Sequence, residues 1–252
     1  MIQADYLAKH FKDRKRGTFK ALDGVSFEAR AGEVFGLLGP NGAGKTTTLR
    51  VLATVLKPTG GTARIGGVDI LRDPGRVRRQ IGFTSGDMGQ YGRLTPLEAL
   101  SFFARLNGLE GKSLRSRLDD VIGRFGIASY ANTKIDKLST GMKQKVAIAR
   151  TVIHDPPVLI LDEPSSGLDV PASRLIEEFI LSAKQTGKCI LFSTHIMEEA
   201  EYLCDRIAVV NRGRVTAMGT MDELRSLTGK QRLREVFLAL LGIEENAPGA
   251  VA

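Results

Sequence analysis

The eight residues Gly39-Pro40-Asn41-Gly42-Ala43-Gly44-Lys45-Thr46 constrain this chain more than any other segment. They fit the pattern GxxxxGK followed by Ser or Thr, and they sit between a short apolar run at 33–38 and a helical stretch. An unbroken apolar run leading straight into glycines is what a buried parallel strand looks like. The glycines let successive backbone N–H groups wrap an anion, and the helix that follows adds its positive dipole end. The segment therefore reads as a phosphate-binding loop. Lys45 would reach the β- and γ-phosphates, the Thr46 hydroxyl would sit on Mg²⁺, and Gly39, Asn41, Gly42, Gly44 and Thr47 complete the candidate contacts.

A second apolar run, Val158-Leu159-Ile160-Leu161-Asp162-Glu163, ends in two carboxylates. A parallel strand delivers its last residues to the carboxyl edge of the sheet, where ligands bind. Asp162 there can hold Mg²⁺ through water, and Glu163 can polarise an attacking water as a general base. Further strand-like runs lie at 189–193 and 207–210. Alternating apolar and polar residues at 21–29 predict an antiparallel strand with one exposed face.

The middle of the chain changes to helical character. Thr95-Pro96-Leu97-Glu98 is a capping box with proline at the first helical position. The helix it opens is expected to carry Leu97, Leu100, Phe103 and Leu106 on one face. A second helix is expected at about 114–125, and another after Leu138. The helix that follows the phosphate loop is expected to run through 50–56, where Lys57-Pro58 stops it. Thr220-Met221-Asp222-Glu223 starts one more capped helix, and the tail after Asn246 reads as frayed.

The composition, 42% apolar and 25% charged, is that of an ordinary folded protein. No run approaches the roughly 18 apolar residues of a membrane helix, and Met1-Ile2-Gln3-Ala4-Asp5 lacks a basic-then-apolar signal. The net charge is +8, with clusters at 12–16 and 76–79. Scattered arginines elsewhere favour solvated faces over a nucleic-acid partner, so none is expected. Cys189 and Cys204 lie in no CxxC or His-rich setting and are expected as buried free thiols. His10 and His154 are read as structural.

Leu138-Ser139-Thr140-Gly141-Met142-Lys143-Gln144-Lys145 resembles the LSGGQ-type signature of ABC ATPases. The resemblance extends over nearly the whole chain. It implies an α/β fold: a RecA-like P-loop NTPase core with an antiparallel β edge and an inserted all-helical subdomain. The implied division is a core at 1–86 and 151–220, a helical signature subdomain at 87–150, and a C-terminal extension at 221–252. It also implies ATP and Mg²⁺ as ligands, and a second ATPase subunit whose Ser139 and Gly141 complete the partner's site. A transmembrane permease would hold the chain at the inner face of the cell membrane. Ser166-Gly167-Leu168-Asp169 resembles the D-loop that crosses that dimer interface. His195 resembles the switch histidine that contacts the γ-phosphate, and Phe11 holds the position of the aromatic that stacks on adenine, with Phe19 as substitute.

The chain departs from the family pattern at Gly86, where glutamine is usual, and at Thr140, where glycine is commoner. Gln90 lies four residues on, and Asp87 is a candidate stand-in. The stretch from Gly82 to Tyr91 resembles Nat-type sodium-export ATPases, which work with a separate permease chain. Drug or lipid export is the alternative substrate class. A soluble ABC ATPase of DNA repair or translation is the rival function, but tandem cassettes, coiled-coil arms and zinc modules are all missing. The signature segment and His195 argue against an unrelated P-loop kinase or GTPase.

Overall fold

The computed structural model describes residues 1–13, 17–85 and 91–243. Strands β1 (Ile2–Asp13) and β2 (Gly17–Ala29) run antiparallel, with Phe11 opposite Phe19. In β2, Val25, Phe27 and Ala29 are buried and Gly24 and Glu28 exposed, as its alternation predicts. Next come β3 (Val34–Leu38), α1 (Lys45–Leu52), β4 (Gly60–Ile65) and β5 (Val68–Asp69). One sheet has the order β2-β1-β4-β5.

The chain continues through α2 (Pro74–Gln80), β6 (Ile81–Thr84), α3 (Pro96–Leu106), α4 (Gly111–Arg124) and α5 (Thr140–Val152). Then follow β7 (Val158–Asp162), α6 (Val170–Gln185), β8 (Cys189–Thr194) and α7 (Met197–Leu203). Strands β9 (Arg206–Asn211) and β10 (Arg214–Gly219) precede α8 (Met221–Thr228) and α9 (Leu233–Leu240). The second sheet has the order β10-β9-β3-β8-β7-β6, parallel throughout except for β10 at its edge.

Every residue of β3, β7 and β8 is buried, which explains their unbroken apolar runs. Successive side chains point to opposite faces of the sheet. Leu159, Leu161, Ile190 and Phe192 pack with Phe125 just past α4, Ile148 of α5 and Phe179 of α6. Val158, Ile160, Leu191 and Phe35 pack with Leu49 and Leu52 of α1 and with Leu7, Leu22 and Ile65 of the first sheet. Phe27 and Phe35 stack across the two sheets, ring centres 5.1 Å apart. A third cluster seats α7, α8 and α9 on Leu38, Ile207 and Val209.

Both capping boxes form as read, at Thr95 with Glu98 and at Thr220 with Glu223. Three expectations need correcting. Helix α1 stops at Leu52 instead of running to 56, because Thr54 turns to φ +59 and leaves the helical region. Helix α3 buries Pro96, Ala99, Leu100 and Ala104, so Leu97 and Leu106 lie outside. Cys189 is free and buried, its thiol pushed up to about 12 by desolvation, while Cys204 is free but only partly buried. Gly86, Asp87, Gln90 and the tail after Asn246 lie outside the described residues.

Candidate nucleotide site

Strand β3 ends at Leu38, and the chain turns through the glycine loop into α1. Glycine is required sterically at two points. A Cβ on Gly39 would lie 2.3 Å from the Val210 carbonyl oxygen. Gly44 has φ +109, and a Cβ there would lie 2.7 Å from the Ala21 oxygen. Two further bonds fix the loop: the Ala43 N–H donates to the Pro40 oxygen (3.1 Å), and the Gly213 N–H to the Ala43 oxygen (2.8 Å). Helix α1 has no side-chain cap and no acidic residue in its first turn, so its leading N–H groups remain free for an anion.

Lys45 is buried and donates from Nζ to the carbonyls of Gly39 (2.7 Å) and Pro40 (3.3 Å). The same Nζ lies 3.5 Å from Glu163 Oε1. The ammonium is thereby aimed over the loop rather than out to solvent.

Asp162 ends β7 with its carboxylate buried beneath three hydroxyls. Ser193 Oγ (2.6 Å) and Thr46 Oγ1 (3.2 Å) donate to Oδ1, and Ser85 Oγ (3.2 Å) donates to Oδ2. Sheet register explains two of them: Asp162 pairs with Ser193 in β8, and Ser85 follows Thr84, which pairs with Leu161. Glu163 stands in the left-handed region at φ +46, a conformation that costs an L-residue about 1–2 kcal/mol. Its N–H is held by the Ser193 carbonyl and hydroxyl, both at 3.1 Å. That turn carries Oε1 to 3.1 Å from Nδ1 of His195, just past β8.

A cavity of about 340 Å³ is lined by Asn41, Thr46, Ser85, Gln144, Asp162 and Glu163. A smaller one of about 180 Å³ lies along the loop and includes Gly42, Gly44, Thr47 and Phe19. Phe11, the expected adenine platform, is absent from that lining; Lys9 Nζ lies over its ring at 5.2 Å. Phe19, its cross-strand neighbour, is the aromatic beside the loop.

Ser139 caps α5 by accepting from the Met142 N–H (3.2 Å), and Gly141 packs in its first turn near Ala172 of α6. Asp169 caps α6 through the Ala172 N–H (2.9 Å). None of these three lines the cavities that hold Lys45 and Glu163. Sequence reasoning missed Ser85, Ser193 and Gln144, whose Nε2 donates to the Pro164 carbonyl at 2.7 Å. It also missed Glu199, which accepts from Thr194 Oγ1 (2.6 Å) and from Ser165 Oγ. The first two follow from sheet register once Asp162 is placed. Gln144 lies within the signature-like segment, and nothing in the sequence flags Glu199.

The side chains lining the larger cavity offer hydroxyl, carboxylate and amide oxygens, all hard donors. Among the described residues no group of three or more His, Cys, Asp or Glu gathers as a softer metal site would require. This set fits Mg²⁺, which takes few protein oxygens and completes its shell with phosphate and water. The loop, the buried carboxylate and Glu163 all converge at the carboxyl edge of a parallel sheet, so fold and site together define a nucleoside-triphosphate hydrolase.

The family profile described as "ABC transporter" matches residues 22–166, more than half of the chain. The chain belongs to the ABC transporter family as an ATP-binding, ATP-hydrolysing subunit, with ATP and Mg²⁺ as its ligands. It is 40% identical over 242 residues to the ABC transporter ATP-binding protein NatA of Bacillus subtilis, covering 96% of this chain and 98% of that one. A solved ATP-binding subunit of an ABC transporter superposes with a TM-score of 0.87 at 32% identity, over 96% of this chain and 99% of that one. The dimeric post-hydrolysis cassette MJ0796, bound to ADP and Pi, superposes at 0.81 with 26% identity, over 87% of this chain and 98% of that one. No helix among the described residues is long and apolar enough to cross a membrane.

Proposed function

We propose that two copies of this chain close around two ATP molecules and drive export through a separate membrane permease, with sodium ions as the cargo. In this reading the permease keeps the chain on the cytoplasmic face of the membrane. The observation that carries the two-copy reading is the separation of Ser139 and Gly141 from the cavities around Lys45. A second copy would bring those residues, at the head of α5, to the γ-phosphate held on the opposite loop. The dimeric state of the MJ0796 cassette supports the same arrangement.

Within one copy the residues divide the work as follows. The loop N–H groups from Gly39 to Thr47 cradle the phosphates, and Lys45 exchanges its carbonyl partners for β- and γ-oxygens. Thr46 and Asp162 hold Mg²⁺, which neutralises charge on the phosphates when bound. Glu163 accepts a proton from the attacking water, and His195 fixes the carboxylate and reaches the γ-phosphate. Phe19 takes the adenine face in place of Phe11. Asp169 sits on the loop that meets the second copy.

Sodium export rests on the likeness of the segment 82–91 to sodium-export ATPases, and the identity to NatA supports it. The test is purification of the tagged chain from detergent-solubilised native membranes. A polytopic membrane protein at equal stoichiometry, giving sodium efflux from vesicles on ATP addition, is the expected result. Co-purification with nucleic acid and DNA-stimulated hydrolysis would overturn the transport reading. Efflux of a drug or lipid without sodium would overturn only the cargo.

A further inference from the structure

We infer that Ser85 is a further protein contact to the magnesium ion of this site. This rests on the reading of Thr46 and Asp162 as the magnesium residues, and it extends that reading to a position no motif marks.

The geometry treats Ser85 and Thr46 alike. Thr46 Oγ1 lies 3.2 Å from one oxygen of Asp162, and Ser85 Oγ lies 3.2 Å from the other. Both side chains line the same cavity, together with Glu163. A hydroxyl that donates its proton to a carboxylate keeps both lone pairs, and at the wall of a cavity these are open to a cation. Magnesium prefers hard oxygens of this kind at close to octahedral geometry.

Ser193 is the control within the site. It also donates to Asp162, but it is fully buried, is no part of the cavity wall, and accepts from the Glu163 N–H. One of its lone pairs is engaged by backbone and its side chain faces no part of the cavity, so it braces the carboxylate. Among the described residues Ser85 accepts no such bond, and it follows the end of β6 beside the same oxygen cluster. The next residue, Gly86, contributes no side-chain oxygen.

The experiment uses Mn²⁺ as the probe on the full chain saturated with ADP, read by electron paramagnetic resonance. Ser85→Ala is expected to weaken Mn²⁺ binding about ten-fold while ADP affinity in EDTA stays unchanged. Ser85→Cys is expected to shift preference from Mn²⁺ toward Cd²⁺, because a thiolate is a soft ligand. It serves as the second variant should the alanine protein fold poorly. Wild-type Mn²⁺ affinity in Ser85→Ala, alongside a clear loss in Thr46→Ala, overturns the Ser85 contact alone. Wild-type affinity in both variants overturns it together with the reading of Thr46.

Discussion

Glu163 and His195 meet through Oε1 and Nδ1 at 3.1 Å, at the ends of adjacent parallel strands. Lys45 approaches the same oxygen at 3.5 Å, so one carboxylate oxygen is shared by two side chains. The imidazole contact bears on which way the carboxylate turns. Glu163→Gln keeps the shape and removes the proposed base. ATP turnover should fall by about 10²-fold or more with ATP binding retained, and a dimer should accumulate on size-exclusion chromatography with ATP. Normal phosphate release would remove Glu163 from the role.

His195→Ala should lower kcat far more than it raises KM for ATP, because the loop contacts that bind nucleotide are untouched. A kcat loss of about 10²-fold is expected in steady-state phosphate release. A matching loss in nucleotide affinity would instead make His195 a binding residue.

The loop glycines separate steric from conformational demands. Gly39→Ala drives a methyl against the Val210 carbonyl and should cost about 1–3 kcal/mol of stability, along with nucleotide binding. At Gly42, with φ +79 and open space around it, alanine should cost only about 1 kcal/mol. Denaturant titrations of the two variants check the ranking.

Glu199 ties the segment after Glu163 to the segment before His195. Its buried carboxylate accepts from Ser165 Oγ and from Thr194 Oγ1, and the Ile196 N–H donates in turn to Thr194 Oγ1. Glu199→Ala leaves two hydroxyls without an acceptor and should destabilise by about 1–3 kcal/mol. It should also lower kcat with KM for ATP nearly unchanged, because the two loops lose their fixed spacing. Glu199→Asp should recover part of the rate. Equal kcat in all three proteins would leave Glu199 with a stabilising role only.

His154 gives a pH-dependent stability. Its Nε2 pairs with the Ile81 carbonyl at 3.1 Å, and its Nδ1 is buried without a partner. Burial holds its pKa below the unperturbed 6.5, with Arg117 and Lys188 pushing the same way and the Ile81 bond and Asp155 opposing. The unfolded chain therefore takes up a proton before the folded one does. Stability is full above about pH 6.5, declines as pH falls below it, and stops falling below the folded pKa. Urea midpoints at pH 7.5 and 5.5 should differ more for wild type than for His154→Gln.

The parts of this molecule that sequence made legible are those encoded locally. The phosphate loop, the two capping boxes and the buried strands β3, β7 and β8 each carry their pattern within about ten residues. Strand β1 was hidden because its register shifts between Ala4 and Leu7, where Tyr6 adopts φ +49, and the alternation breaks. The face of α3 was misread because Ala99 and Ala104 join Leu100 in the core while Leu97 and Leu106 stay outside. Ser85 and Ser193 became functional candidates only through the pairing of β6 and β8 with β7. Glu199 requires the packing of α7 against two loops, which no spacing announces. Which of the two directly opposed aromatics, Phe11 or Phe19, lines the cavity along the loop likewise depends on the folded hairpin.

The glycine loop is clamped by its own chain: Gly39 against the end of β9, Gly44 against β2, and Ala43 by the N–H of Gly213. A cradle shaped by such rigid neighbours has little disorder to lose when a triphosphate settles into it. Less of the free energy of capture is then lost to ordering the loop, and loosening any one of those three contacts would enlarge that loss.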